Sequence, residues 1–359
     1  MIEYFKKIDW FLFAPVLLLT AIGVLMIYST SAVGSEKESL FIRQIFYAGF
    51  GIAIFLLAGR IDLKFLKQFS LILYVASVVL LIITLFIGLE TKGAVRWIDL
   101  GFITIQSSEI AKPVLVLTLA SFFHNYPAKY FRNVILSFLI FAVPTLLVFR
   151  QPDLGNTIVL TFIWGSMVLA SGINFKVLLG LVGAGILLLP LGWNFLADYQ
   201  KNRLLSFLNP EIDPRGTSYN LVQSIIAVGS GQFTGKGFGR GTQSQLNFLP
   251  EQSTDFIFAT TAEELGFIGV FIMVALFVVL ILRILSISEK SKDTYYTLVG
   301  LGVASFIIVQ IFINMGMNMG LVPITGITFP LISFGGSSLI TVMLSLGFIQ
   351  SIKRASKQL

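Results

Sequence analysis

Apolar residues fill long, nearly unbroken stretches of the chain, and polar residues gather in short breaks between them. The stretches run at about Trp10–Ser29, Phe41–Ala58, Leu71–Leu89, Ser108–His124, Asn133–Phe149, Gly155–Ser171, Lys176–Asn194, Ile257–Ser286, Thr294–Met319 and Phe334–Ser351. A bilayer-spanning helix takes roughly 20 predominantly apolar residues, so each stretch predicts a transmembrane helix, ten in all. The fourth is interrupted at its start by Glu109, Lys112 and Pro113. The eighth reaches about 45 Å at 1.5 Å per residue, which predicts a tilt or a projection beyond the hydrocarbon. The first follows Lys6 and Lys7 as a signal peptide would. Its apolar run exceeds the roughly 7–15 residues of a signal core, so it reads as a retained span. The pattern describes an all-α polytopic membrane protein, a single transmembrane domain over residues 1–359. One large polar segment, residues 195–256, lies between helices 7 and 8. Long connections are usually functional or disordered; the mixture of Gly, Pro, aromatic and charged residues favours an ordered, functional loop.

Composition sharpens this. Of 359 residues, 56% are hydrophobic and 12% charged, against about 45–50% and about 25% in soluble domains. Both a soluble globular protein and a disordered chain are excluded. There is no cysteine, so disulfides, thiol catalysis and thiolate metal sites are excluded. The single histidine, His124, argues against His-paired zinc and Ser–His–Asp chemistry and reads as an interface residue. A net charge of +7 points to nucleic acid only when the basic residues cluster on one face. Here they are scattered between apolar runs, and no nucleic-acid partner is expected.

The scatter sets an orientation. With the N-terminus in the cytoplasm, most of the 25 Lys and Arg fall inside, among them Lys6, Lys7, Arg60, Lys129, Lys176, Lys290 and Lys353. That satisfies the positive-inside rule, and ten spans return the C-terminus to the cytoplasm. Most of the 18 acidic residues fall on the outer side or at outer helix ends. Ionisable groups at membrane depth are costly and tend to be functional, so chemistry is expected at the outer leaflet.

Five constellations stand out there. The glycine-rich run Gly229–Gly241 carries Lys236 and Arg240. It fails the P-loop and dinucleotide spacings. Its glycines still let backbone amides approach an anion, so it is either a flexible outer loop or a site for a phosphate-bearing headgroup. Residues 245–255 lead into the eighth span. There Ser253, Thr254 or Asp255 is a helix N-cap, or Asp255 is a carboxylate base at the membrane edge. Arg96-Trp97 and residues 106–112 flank the fourth span. Glu109 and Lys112, three apart, share a helix face and form either an interfacial ion pair or the lining of a polar cavity. Asp153 in the 151–155 turn reads as the cap of the sixth span. Asn314, Gly316, Asn318, Gly320 and Gly335–Ser338 are small or amide residues near the outer ends of the last two spans.

Taken together, these motifs resemble the SEDS family (shape, elongation, division and sporulation). The matching stretches are Arg96-Trp97, QSSEIAK at 106–112, QPDLGN at 151–156, the segments at 209–243 and 248–267, and PITGITFPLISFGGSS at 323–338. The resemblance covers nearly the whole chain, and the layout is nearest to the elongation members, with the division members as the near alternative. It implies ten transmembrane helices and peptidoglycan glycosyltransferase activity on lipid II at the outer face of the bacterial cytoplasmic membrane. The implied partners are lipid II, the nascent glycan, a class B penicillin-binding protein transpeptidase and the elongation machinery. The family's essential aspartate maps onto Asp255, and its Glu and Lys of the fourth helix onto Glu109 and Lys112. Ser107 stands where the family usually has Pro, and Asn156 where Thr is common.

The implied chemistry is an inverting transfer from an undecaprenyl-pyrophosphate-linked donor. Asp255 is the expected base. Arg96, Lys112, Arg203, Lys236 and Arg240 are expected to meet the pyrophosphate, with Glu109 in the same cavity as Lys112. No cofactor is assigned from the sequence. A divalent cation such as Mg could assist, but no ligand cluster is legible. The rival class is a lipid II flippase, which ten spans and intramembrane charge also fit; a third reading is a scaffold for the penicillin-binding partner.

Overall fold

The computed structural model describes residues 8–31, 35–91, 94–99, 101, 104–209 and 218–356. Lys6, Lys7, Lys92 and Arg215, and the 210–217 part of the family motif, lie outside the described residues. In chain order the helices are α1 (Trp10–Ser31), α2 (Ser35–Ala58), α3 (Leu63–Gln68), α4 (Ser70–Ile87), α5 (Ser107–Asn125), α6 (Phe131–Arg150), α7 (Leu154–Ala170), α8 (Phe175–Gly192) and α9 (Asp198–Leu208). They continue as α10 (Tyr219–Ser230), α11 (Thr242–Gln245), α12 (Ile257–Glu289), α13 (Thr294–Asn318) and α14 (Gly336–Ser356). Three short strands, β1 (Leu89–Thr91), β2 (Ala94–Asp99) and β3 (Thr104–Gln106), lie between α4 and α5.

Each of the ten apolar stretches coincides with one of these helices, with ends shifted by a few residues. Among the described residues, seven are long and apolar enough to cross a membrane: α1, α2, α4, α6, α12, α13 and α14. The apolar helix α7 has 17 residues, the apolar helix α8 has 18, and α5 carries a Glu, a Lys and a Pro near its start. The chain is a multi-pass helical membrane protein. Segment 195–256 holds α9, α10 and α11 between turns, so its described residues are largely ordered backbone.

The chain divides into two compact units. The second comprises Ala58–Lys201, Ile284–Phe306 and Ser345–Leu359. In it α4 packs on α5, α6 on α7 and α5 on α7, while β2 rests on α4 and α5. The strands form an antiparallel sheet in the order β1-β2-β3, with Trp97 opposite Gln106. The sheet does not appear in the hydrophobic pattern, because strands of three to six residues are too short to show alternation against apolar helices on both sides.

The first unit comprises Met1–Leu57, Asn202–Arg283 and Ile307–Leu344. Leu12, Val16, Leu19 and Met26 of α1 are buried in it, and Phe13 stacks on Phe55 of α2 at 5.2 Å. Phe329 meets Phe258 and Phe277 of α12 edge-on, a favoured aromatic arrangement. Near the other end of this stretch of α12, Arg283 grips the carboxylate of Asp9 through Nε at 2.9 Å and through Nη2.

Helix α12 is not one straight rod, as its length alone suggests. Gly266 has φ 64° and interrupts the helix. A break frees backbone donors and acceptors, and in hydrocarbon each unsatisfied one costs several kcal/mol. The glycine-rich segment supplies all four partners. Lys236 N and Gly237 N donate to the carbonyls of Glu263 and Glu264 at 2.9 and 3.0 Å. Phe267 N and Ile268 N donate to the carbonyls of Gln232 and Phe233 at 2.9 and 3.1 Å. The approach is so close that a Cβ on Gly266 would lie 2.2 Å from Gly235 N, and one on Gly235 would lie 2.1 Å from Glu264 O. Both positions also have positive φ, which glycine tolerates and other residues rarely do.

Candidate active site

Asp255 ends the turn that leads into α12. Three successive carbonyls of this turn are held from elsewhere in the first unit. Phe334 N donates to Ser253 O at 2.8 Å, and Ser333 Oγ donates to Thr254 O at 2.6 Å. Asp255 O accepts from two side-chain amides of α13, Asn314 Nδ2 at 3.1 Å and Asn318 Nδ2 at 3.0 Å. The first-turn N–H of Ala259 donates to Asn318 Oδ1 at 3.2 Å, and Thr260 N donates to Phe256 O. The cap position of α12 is therefore Phe256, one residue beyond Asp255. The first-turn N–H of Ala259 is met by an amide from α13.

The Asp255 carboxylate converges with Arg203 on one glycine. A Cβ on Gly326 would lie 3.5 Å from Asp255 Oδ2 and 3.6 Å from Arg203 Nη1. Arg203 Nη1 also donates to Ile324 O at 3.3 Å. A carboxylate and a guanidinium thus border the space that a side chain at 326 would fill. A pocket of about 380 Å³ follows one stripe of α12 through Phe258, Ala262, Gly266, Val270 and Val274, with Met315 of α13 also in its lining. Its lining is almost wholly apolar.

The second unit holds Arg96, Glu109 and Lys112. Lys112 Nζ donates to Glu109 Oε1 at 2.7 Å, with the lysine side chain 0% and the glutamate side chain 4% exposed. Glu109 Oε2 is buried without a hydrogen-bond partner among the described residues. Removing two charges from water is weakly rewarded in stability, and buried charge at membrane depth marks functional positions. Just before the pair, Asp153 caps α7 through Asn156 N at 3.1 Å. Its Oδ2 accepts from Gln106, Ser108 and the Asn156 side chain. The aspartate in the 151–155 turn is a structural tie between the starts of α5 and α7. Arg96 braces the same turn. It donates to Gln151 O at 3.2 Å, to Pro152 O, and to the Tyr199 hydroxyl at 2.7 Å.

The glycine-rich segment does surround anions, and they belong to the protein. Lys236 Nζ pairs with Glu263 Oε1 at 2.8 Å and donates to Thr242 Oγ1 at 2.7 Å. Glu263, fully buried, also accepts from Gln243 N at 3.0 Å and Ser244 N at 3.3 Å. Glu264 accepts from Ser29 Oγ at 2.6 Å and Gly239 N at 3.0 Å. Two of the three Lys236 Nζ donors are thus engaged within the protein, and its side chain is 27% exposed. Arg240 is exposed. Along the chain Glu263 and Glu264 are merely acidic neighbours of Asp255; nothing local signals that they fold the loop. His124 Nδ1 lies 3.3 Å from Asp293 Oδ1. Among the described residues no group of three or more His, Asp or Glu could hold a metal ion.

Long apolar helices, a buried ion pair and an aspartate whose backbone is clamped at a helix start define a polytopic membrane protein with ionisable groups among its helices. A model of the FtsW, RodA and SpoVE cell cycle proteins matches residues 9–358, and the chain belongs to this family. The peptidoglycan glycosyltransferase MrdB of Escherichia coli (strain K12) is 37% identical over 354 residues, covering 96% of this chain and 94% of MrdB. A chain solved in the structural coordination of polymerization and crosslinking by a peptidoglycan synthase complex superposes with a TM-score of 0.84 at 29% identity, covering 98% of this chain and 99% of that one. The crystal structure of the Thermus thermophilus rod shape determining protein RodA superposes with a TM-score of 0.73 at 27% identity, over 97% of each chain.

Proposed function

We infer that this protein is a peptidoglycan glycosyltransferase that polymerises glycan strands for cell elongation. The similarity to MrdB over almost the full length of both chains supports the activity. The observation that carries the site is the convergence of Asp255 Oδ2 and Arg203 Nη1 on Gly326. A base and a cation beside an unfilled space are what an inverting glycosyl transfer needs. Asp255 takes the proton of the acceptor GlcNAc 4-hydroxyl of lipid II. The oxygen attacks the anomeric carbon of the donor MurNAc from the face opposite the leaving group. The bond to the lipid pyrophosphate breaks, and the pyrophosphate departs with the electron pair. Arg203 offsets the charge that develops there. In the second unit the buried Glu109–Lys112 pair is a charged centre of its own that the substrate can use, and in the first unit the apolar pocket along α12 suits a polyprenyl tail.

In this reading all ten long helices span the cytoplasmic membrane, both termini are cytoplasmic, and segment 195–256 is extracytoplasmic. The basic residues between the spans support that orientation. A class B penicillin-binding protein supplies crosslinking, which the likeness to a chain of a peptidoglycan synthase complex supports.

The decisive experiment is polymerisation of lipid II by purified, folded protein. General-base catalysis typically contributes 10²–10⁴-fold, so Asp255→Asn and Asp255→Ala are expected to lose at least about a hundredfold. Full activity in either removes Asp255 as the base. Flipping of lipid II in sealed vesicles without polymerisation would favour the transporter.

A further inference from the structure

We propose that Asn314 and Asn318 of α13 are positioning residues for the reaction: together they fix the backbone of Asp255 so that its carboxylate meets the acceptor hydroxyl. The proposal rests on the reading of Asp255 as the base.

Gln310, Asn314 and Asn318 are spaced four apart on α13 and share one face. All three are fully buried. Amide side chains in a membrane helix are costly unless paired, so three on one buried face ask for a reason. Two of them have it in Asp255. Asn314 Nδ2 bridges Asp255 O, at 3.1 Å, and Ile327 O, at 2.7 Å. Asn318 Nδ2 bridges Asp255 O, at 3.0 Å, and Asn314 O, at 2.7 Å. Asn318 Oδ1 accepts from Ala259 N and from Ser224 Oγ. One pair of amides thus ties together the Asp255 turn, the first turn of α12, α10 and the loop that carries Gly326.

A carbonyl beside a helix start is satisfied by one donor. Two donors from one helix occupy both lone pairs and fix the direction of the peptide plane as well as its position. Ile327, the other carbonyl that Asn314 holds, follows Gly326, where Asp255 and Arg203 converge. Asn314 therefore holds both walls of the space in which the base works, and Asn318 holds the Asp255 wall and braces Asn314. Displacements of about 1 Å in such a constellation cost up to about a hundredfold in rate. Gln310 lies one turn further along. Neither atom of its amide has a hydrogen-bond partner among the described residues, and it takes no part in the clamp.

The test uses the full chain in detergent or nanodiscs with lipid II as substrate. It measures kcat, KM and thermal unfolding for Asn314→Ala, Asn318→Ala, the double variant, Gln310→Leu and Asp255→Ala. Each single alanine variant is expected to lower kcat about tenfold, the rate equivalent of about one buried hydrogen bond. The double variant is expected to lower it about a hundredfold, with KM within about twofold of the parent. Gln310→Leu is expected to keep the parent kcat. Parent kcat in the double variant, with Asp255→Ala inactive, overturns the proposal and leaves Asp255 as the base. A loss that appears only in KM, or only in proportion to unfolded protein, also overturns it. Full activity in Asp255→Ala overturns the reading of the base itself. Should the double variant fail to fold, the two single variants decide by the same criteria.

Discussion

Glu263 has no exposed surface, and its carboxylate is met by Lys236, Thr242, Ser244 and two backbone amides. Its partner Lys236 retains a side chain 27% exposed. The asymmetry predicts an order of effects. Replacing the lysine leaves the carboxylate its other donors, and the part-exposed pair is screened by water. Lys236→Met should therefore cost about 1 kcal/mol of stability. Glu263→Ala leaves two buried amides and a hydroxyl without their acceptor, and should cost more, about 2–4 kcal/mol. Thermal unfolding of the two variants checks the order. If Lys236 instead serves the substrate, Lys236→Met would raise KM for lipid II at unchanged stability. The residue types of this site are legible in the sequence: a lysine among glycines reads as an anion site. The identity of the anion is not, because it comes from a helix that starts beyond the loop and reaches back only through the fold. Asp153 is the opposite case. Its target, Asn156 N, is three residues away, and a local cap can be read from a local pattern.

At the scale of elements, the glycine-rich segment and the break in α12 are one structure. Neither is stable alone: the break leaves four backbone groups unpaired, and the segment has no regular ladder of its own. Gly266→Ala forces a Cβ to 2.2 Å from Gly235 N at a φ of 64°, so backbone has to move on both sides. A loss of at least about 2 kcal/mol is expected, with strain and lost hydrogen bonds combined. Gly165 in the middle of α7 has nothing within 4 Å of the place a Cβ would take, and Gly165→Ala should fold as well as the parent or slightly better. Equal stability of the two variants would mean that the α12 break can straighten at little cost. The ten helices are legible in the sequence because an apolar run of bilayer length admits almost no other structure. The break is not, since a single glycine in an apolar run is common. Only the partner segment, with Gly235 opposite Gly266, gives it meaning. The small sheet is hidden for a different reason: Arg96 and Trp97 stand out as chemistry, while the short strands around them carry too little pattern to register.

At the scale of the molecule, the number of crossings decides which face carries the Asp255 site. Three of the ten long helices decide the span count: α5 has a Glu, a Lys and a Pro near its start, α7 has 17 residues, and α8 is an apolar helix of 18. These features have physical reasons. Helix α5 holds the Glu109–Lys112 pair in its interior, where the two charges neutralise each other, and α7 starts on the Asp153 cap inside the protein. Helices shielded by neighbours do not need a fully apolar surface. All three are therefore expected to cross. The chain has no cysteine, so single cysteines can be placed at exposed positions and labelled with a membrane-impermeant maleimide from either side of oriented vesicles. Asp99→Cys and Asn125→Cys bracket α5, Arg150→Cys and Lys176→Cys bracket α7, and Lys176→Cys and Asn202→Cys bracket α8. Each pair should label from opposite sides. Asp99, Arg150, Asn202 and Arg240 should be outside, and Arg60, Asn125, Lys176 and Lys290 inside. A pair that labels from one side removes that helix from the span count. If α8 alone fails, Arg240 and the start of α12 move to the cytoplasmic face, and with them Asp255. A base facing the cytoplasm could not extend glycan on the outer surface, so the topology and the chemistry stand or fall on the same labelling pattern.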